Sequence, residues 1–224
     1  MTEKELRTAI IEKMASYIGT TTGSPEEQRL CDVYNAALPV EVPRWGTRNI
    51  KMINSPSWGW CALAVSCAAI ETGMDVIVPI EIGVWEMVQI AKKFGLFQQI
   101  GNGYEPRPGD AICYEWKDPS IDPNHKWHTG IVEAVGANYV QTIEGNAGGG
   151  NCVRRTVARD DQNIWGYISP DYASIAEPEP TPGVDTLAEL VKTMNPGDTM
   201  TVVEKTESSA VLKVTRTTEK VIEL

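Results

Sequence analysis

Apolar residues first recur at helical spacing. Leu6, Ile10, Met14 and Tyr17 lie three or four apart with charged residues between them, which predicts an amphipathic helix over 3–18 that stops at Gly19. Ser24-Pro25-Glu26-Glu27 then reads as a helix start, with Ser as N-cap, Pro in the first turn and Glu closing a capping box. That helix extends to about Ala37, with Leu30, Cys31, Tyr34 and Ala37 on one face. Pro39 and Pro43 interrupt regularity, and 38–57 reads as a structured loop carrying Trp45. An Ala-rich apolar run beginning at Cys61 predicts a third helix, ended by Gly73. Val84, Met87, Val88 and Ala91 predict a fourth, to about Phe94.

The period then changes. Runs at 111–116, 129–135, 139–144, 152–157 and 165–168 are short, rich in β-branched and aromatic residues, and separated by Gly, Asn and Asp. They read as an antiparallel meander with Gly136-Ala137-Asn138 as one tight turn and a polar loop at 117–127. Helices followed by strands give an α+β layout, helices packed on an antiparallel sheet. The main domain is expected over 1–175, and the alternating prolines of 176–184 make an extended linker. Residues 185–224 read as a small α/β appendage: a helix near 187–194, an Asn-Pro-Gly-Asp turn and strand-like runs at 199–204, 210–216 and 220–223. Forty residues is a marginal core, so this module is expected to pack on the main domain, on a copy of itself or on a ligand.

Charge narrows the partners. Twenty basic against thirty acidic residues leave a net −10, which disfavours nucleic acid and anionic lipid. The start of the chain is charged and lacks an apolar leader, and no run is long enough to cross a membrane, so synthesis in a cytoplasm is expected. Five cysteines with no metal or redox spacing read mostly as small buried hydrophobes.

Cys61 is the exception. It opens a helix directly after Trp58-Gly59-Trp60, where free N–H groups and the helix dipole favour thiolate over thiol. The chain has two histidines, His125 in the polar loop and His128 at a strand start. Glu144-Gly145-Asn146 ends the next strand, so antiparallel pairing brings His128 near Glu144 or Asn146. Nucleophile, base and orienting group are thereby supplied by Cys61, His128 and either Glu144 or Asn146. The N–H of Cys61 is a candidate oxyanion donor, with a second expected from 54–60. Trp60 and Trp127 are candidates for substrate contact, whereas Asp110 in Pro-Gly-Asp reads as turn chemistry.

These motifs, in this order, resemble the CHAP family of cysteine amidases and peptidases, relatives of the NlpC/P60 peptidases on a papain-like fold. The resemblance is carried by Trp60-Cys61-Ala62, Arg107-Pro108-Gly109-Asp110, His128-Thr129-Gly130-Ile131-Val132 and Glu144-Gly145-Asn146, and extends over about 5–172. It implies Cys61, His128, Glu144 and Asn146 as the catalytic set and peptidoglycan as substrate; the sequence shows no acidic loop of the kind that binds calcium in some members, so no metal or other cofactor is expected. The bond implied is N-acetylmuramoyl–L-alanine or one in the stem or cross-bridge peptide. The N-terminal helices resemble those of phage lysins, made in the host cytoplasm and reaching the wall through a holin-type pore or on a virion. A papain-like amidase on a non-wall substrate, such as a toxin, and a non-catalytic phage tail protein remain open at this point.

Overall fold

The computed structural model describes residues 1–37, 59–116 and 127–178, with the backbone of two further strands at 199–205 and 210–215. Two compact units emerge, Glu3–Ile175 and Ala176–Leu224. The expected loop around Trp45, the loop holding His125, the prolines from 180 onward, the helix near 187–194 and the run at 220–223 lie outside the described residues.

Four helices form where the periodicity places them: α1 (Glu3–Ser16), α2 (Pro25–Ala36), α3 (Cys61–Glu71) and α4 (Val84–Lys93). Leu6, Ile10 and Met14 form the buried stripe of α1. The N-cap of α2 is Ser24, whose hydroxyl accepts from Glu27 N–H at 3.2 Å, while the Glu27 carboxylate reaches back to the Gly23 N–H. The Ser24 half of the expected capping box thus forms, while Glu27 reaches one residue further back, because the Ser24 N–H is already held by Thr21 O. Helix α3 is buried over its first nine residues, so its stability comes from packing on every side.

Six strands make one antiparallel sheet in the order β1-β6-β2-β3-β4-β5: β1 (Phe97–Gln99), β2 (Ala111–Glu115), β3 (Trp127–Val135), β4 (Tyr139–Ala147), β5 (Asn151–Ala158) and β6 (Ile164–Ile168). Strands β2 to β5 follow the expected meander, and Gly136 N–H donates to Tyr139 O at 2.9 Å across the hairpin turn. The end of the meander departs from expectation. Strand β6 crosses back to pair with β2, and β1, too short to announce itself by alternation, pairs with β6. Without β6 the apolar strand β2 would present unpaired backbone groups at an edge.

Helix α3 packs on β3 and β4, and α1 packs on α3 and the same two strands. Alternate positions of the sheet carry a second apolar cluster of Ile112, Tyr114, Val132, Val140, Val157, Ile164 and Tyr167. The Pro-Gly-Asp turn before β2 is structural. Buried Asp110 accepts from Arg107 N–H at 2.8 Å, Tyr104 Oη at 2.6 Å and an Arg7 guanidinium nitrogen at 3.1 Å, which ties the turn to α1. In the second unit, β7 (Thr199–Lys205) and β8 (Ala210–Thr215) pair antiparallel as a two-stranded sheet.

Candidate active site

Cys61 is the first residue of α3, and Trp60, in the N-cap position, supplies no side-chain cap. The first turn therefore keeps free N–H groups beside the thiol. Strand β3 packs against α3, and its His128 acts on the Cys61 thiol through charge and hydrogen bonding. The N–H groups of Thr129 and Ala62 favour the thiolate as well. Burial alone raises a thiol pKa, as it disfavours the charged form. Here the His128 charge and these hydrogen bonds outweigh burial and hold Cys61 below its ordinary value.

His128 is fixed on both sides of its ring. Its Nε2 lies 2.8 Å from Glu144 Oε2, which leaves Nδ1 for Cys61. Tyr114, directly across the β2–β3 ladder, stacks on the imidazole with centroids 5.8 Å apart, and Trp116 packs at 5.6 Å. Burial pulls the His128 pKa down, but the Cys61 sulfur and Glu144 together raise it to about 9. A lowered thiol beside a raised imidazole is a thiolate–imidazolium pair over the range between them.

Glu144 is fully buried and saturated with partners. Oε1 accepts from Tyr114 Oη at 2.8 Å and Thr142 Oγ1 at 2.7 Å. Oε2 takes His128 and an Arg155 guanidinium nitrogen at 2.7 Å. Burial pushes its pKa up, yet these donors hold it down at about 2. A carboxylate with four donors is permanently anionic at neutral pH and cannot swing away. Tyr114, Thr142 and Arg155 were not singled out by sequence. Their signal is register: Tyr114 faces His128 across β2–β3, Thr142 lies two residues before Glu144 on the same side of β4, and Arg155 faces Thr142 across β4–β5.

Two glycines make the approach feasible. A Cβ at Gly130 would stand 2.5 Å from Glu144 Cγ and 2.6 Å from Ile143 O, so any side chain there would displace the carboxylate. A Cβ at Gly145 would stand 2.8 Å from both Ala64 Cβ and the Trp60 ring, forcing α3 off β4.

The remaining candidates are placed differently. Asn146 has a left-handed backbone, φ 54°, and its amide turns away from the imidazole toward the Thr22 hydroxyl, 3.5 Å from Oδ1, and toward Gly59. Glu144, not Asn146, is the direct partner of His128. The expectation that Trp60 contacts substrate is corrected: its side chain has no exposed surface, packs in the slot left by Gly145 and Ala64, and donates its indole N–H to Thr22 Oγ1 at 3.0 Å. A large flat ring fills a core slot that two small residues open. Trp127 is half-buried and lines a groove of about 430 Å³ together with Gly59, Cys61, Ile82, Gly83, Val84, Trp85 and Glu86. Positions 54–58, from which a second oxyanion donor was expected, lie outside the described residues. Among the described residues no group of three His, Cys, Asp or Glu side chains could hold a metal ion.

A comparison with curated proteins finds no match. Residues 52–146, by contrast, match the family model of the CHAP domain, a span that runs from just before Cys61 through His128 to Asn146. CHAP domains are, in general, cysteine-type hydrolases that act on amide bonds of peptidoglycan. The buried thiol, imidazole and carboxylate thus sit within that match, and the chain carries a CHAP domain, the domain of cysteine amidases and endopeptidases.

Proposed function

We propose that this chain hydrolyses an amide bond of bacterial peptidoglycan with Cys61 as nucleophile, His128 as acid and base, and Glu144 as the group that orients and charges His128. The observation that carries this reading is the continuous line Cys61–His128–Glu144, with Cys61 opening on the groove that Trp127 lines. The Cys61 thiolate attacks the scissile carbonyl carbon, and the C=O electron pair moves onto oxygen. The free N–H of Cys61 at the start of α3 is aimed to receive that oxyanion. Collapse expels the amine, which takes its proton from His128, and a thioester remains. Water, deprotonated by His128, then attacks the thioester, and the thiolate leaves as the carboxylic acid product forms. Glu144 stays anionic throughout and compensates the imidazolium.

The bond cut is N-acetylmuramoyl–L-alanine or one within the stem or cross-bridge peptide. The setting we propose is a phage lysin, made in a host cytoplasm and delivered to the wall through a holin-type pore or on a virion. The second unit would hold the enzyme on the wall or on another copy of itself. Mass spectrometry of purified peptidoglycan digested by wild type and by Cys61→Ala tests the reading. Soluble fragments with one defined new terminus are expected from wild type alone. No release by wild type from walls of several peptide types would sink it.

A further inference from the structure

One wall of the groove beside Cys61 is the start of α4, where Ile82, Gly83, Val84, Trp85 and Glu86 face Cys61 and Trp127. Trp85 is 45% exposed, although an indole gains most when covered. Glu86 is exposed as well, and among the described residues its carboxylate engages no ion pair or hydrogen bond. Several other acids of the molecule are tied down: Glu3, Glu26, Glu71, Glu105 and Glu133 each meet an arginine. Glu86 is the one formally charged carboxylate among the described residues that line the groove.

The start of α4 is closed to anions. Gly83, its N-cap, has no side chain to satisfy the free N–H groups, and Glu86 in the first turn folds back over it, close enough to collide with a Cβ there. A negative charge already covers the positive end of the helix. A ligand carboxylate entering this wall would meet Glu86 and the Cys61 thiolate. A protonated amine would meet a carboxylate and two indole rings, and both attract cations.

We propose that this groove selects substrates that carry a protonated primary amine close to the scissile amide, with Glu86 as the specificity-determining carboxylate and Trp85 and Trp127 as its walls. The inference rests on the hydrolase reading and narrows its substrate to peptides with a free amine, whether on a diamino-acid side chain or at a peptide terminus.

Binding tests it without turnover. Cys61→Ala protein is titrated with a muropeptide bearing both kinds of amine, and with forms acetylated at the side chain or at the terminus, following tryptophan fluorescence. Acetylation of the recognised amine is expected to weaken binding about tenfold, the size of one exposed ion pair plus a cation–aromatic contact. Which form weakens identifies the amine. Adding Glu86→Gln should make all forms bind alike, and adding Trp85→Ala in its place should shrink the preference. Equal binding of all forms by Cys61→Ala, a preference that survives Glu86→Gln, or no binding of any form overturns the proposal. Failure of wild type to release wall fragments is a separate result and overturns the hydrolase reading.

Discussion

Helix α3 carries two buried cysteines six residues apart, and they belong to different chemical worlds. Cys67, in the middle of the helix, donates its S–H to Leu30 O at 3.1 Å, and burial drives its pKa far up. Cys61, one and a half turns earlier, is pushed up by burial too, and still ends below the ordinary thiol value. Cys113 on β2 stands 3.8 Å from Thr129 Oγ1, and burial raises it to about 12. Lying in α3 is not enough, since Cys67 lies in it too, away from the free N–H groups of its first turn. The difference is the charged imidazole beside the helix start, the carboxylate that keeps it charged and the N–H groups of that first turn. Reactivity here is a property of a position three strands and a helix converge on.

The strongest way to test that contrast is to remove each thiol. Cys61→Ala should lower wall hydrolysis by about 10⁴-fold or more. Cys67→Ala should leave turnover in place and lower stability by about 1 kcal/mol, from the lost packing of one sulfur. Comparable losses of activity in both variants would erase the distinction. Next in size, Glu144→Gln replaces the anion with an isosteric amide and leaves Arg155 without its counter-charge. Turnover should fall by about 10²- to 10⁴-fold, the range expected when a histidine loses the carboxylate that orients and charges it.

The pH profile sharpens the same point. Activity should rise as Cys61 loses its proton, below the usual thiol range, and fall as His128 loses its proton through about 9. In Glu144→Gln the alkaline arm should move down, because the neutral amide no longer favours the imidazolium. An alkaline arm that stays in place would show that Glu144 does not set the His128 charge. Labelling by iodoacetamide at neutral pH should reach Cys61 about ten- to a hundredfold faster than Cys67 or Cys113. The smallest effect belongs to Trp60→Phe, which removes the bond to Thr22 and part of a packed ring. A lowered Tm, equivalent to about 1–2 kcal/mol, is expected with kcat changed less than about tenfold.

The chain announces some of this and conceals the rest for identifiable reasons. Helix α2 is legible because Ser24, Pro25 and Glu27 satisfy local rules that need no tertiary partner. Cys61 is legible as a candidate because a thiol at a helix start has a local signature, and His128 because a chain with two histidines offers few candidate bases. The cage around Glu144 is not legible. Tyr114, Thr142 and Arg155 look like ordinary half-buried strand residues until the register aligns them, and register is a non-local property. Trp60 misleads for a related cause. An aromatic beside a candidate nucleophile suggests a ligand contact, while the slot it fills is opened by Ala64 one turn along α3 and by Gly145 far off on β4. The return of β6 to β2 escapes notice because one apolar run does not say which edge it covers.

The tie between Thr22 and the Trp60 indole has a genetic corollary. The loop between α1 and α2 is fastened to the entrance of the nucleophile helix, and Arg155 on β5 is fastened to Glu144. Both anchors lie outside the stretch 52–146 that the family model matches. Recombination that transplanted that stretch alone would deliver the Cys61 helix without the loop that anchors Trp60, and Glu144 without its Arg155 counter-ion. Exchange that preserves function would have to break the gene near the codons for Ile175 and Ala176, where one compact unit gives way to the next. The lineage of this chain is therefore expected to vary by swapping whole units at that seam, while the two ends of the larger unit are inherited together.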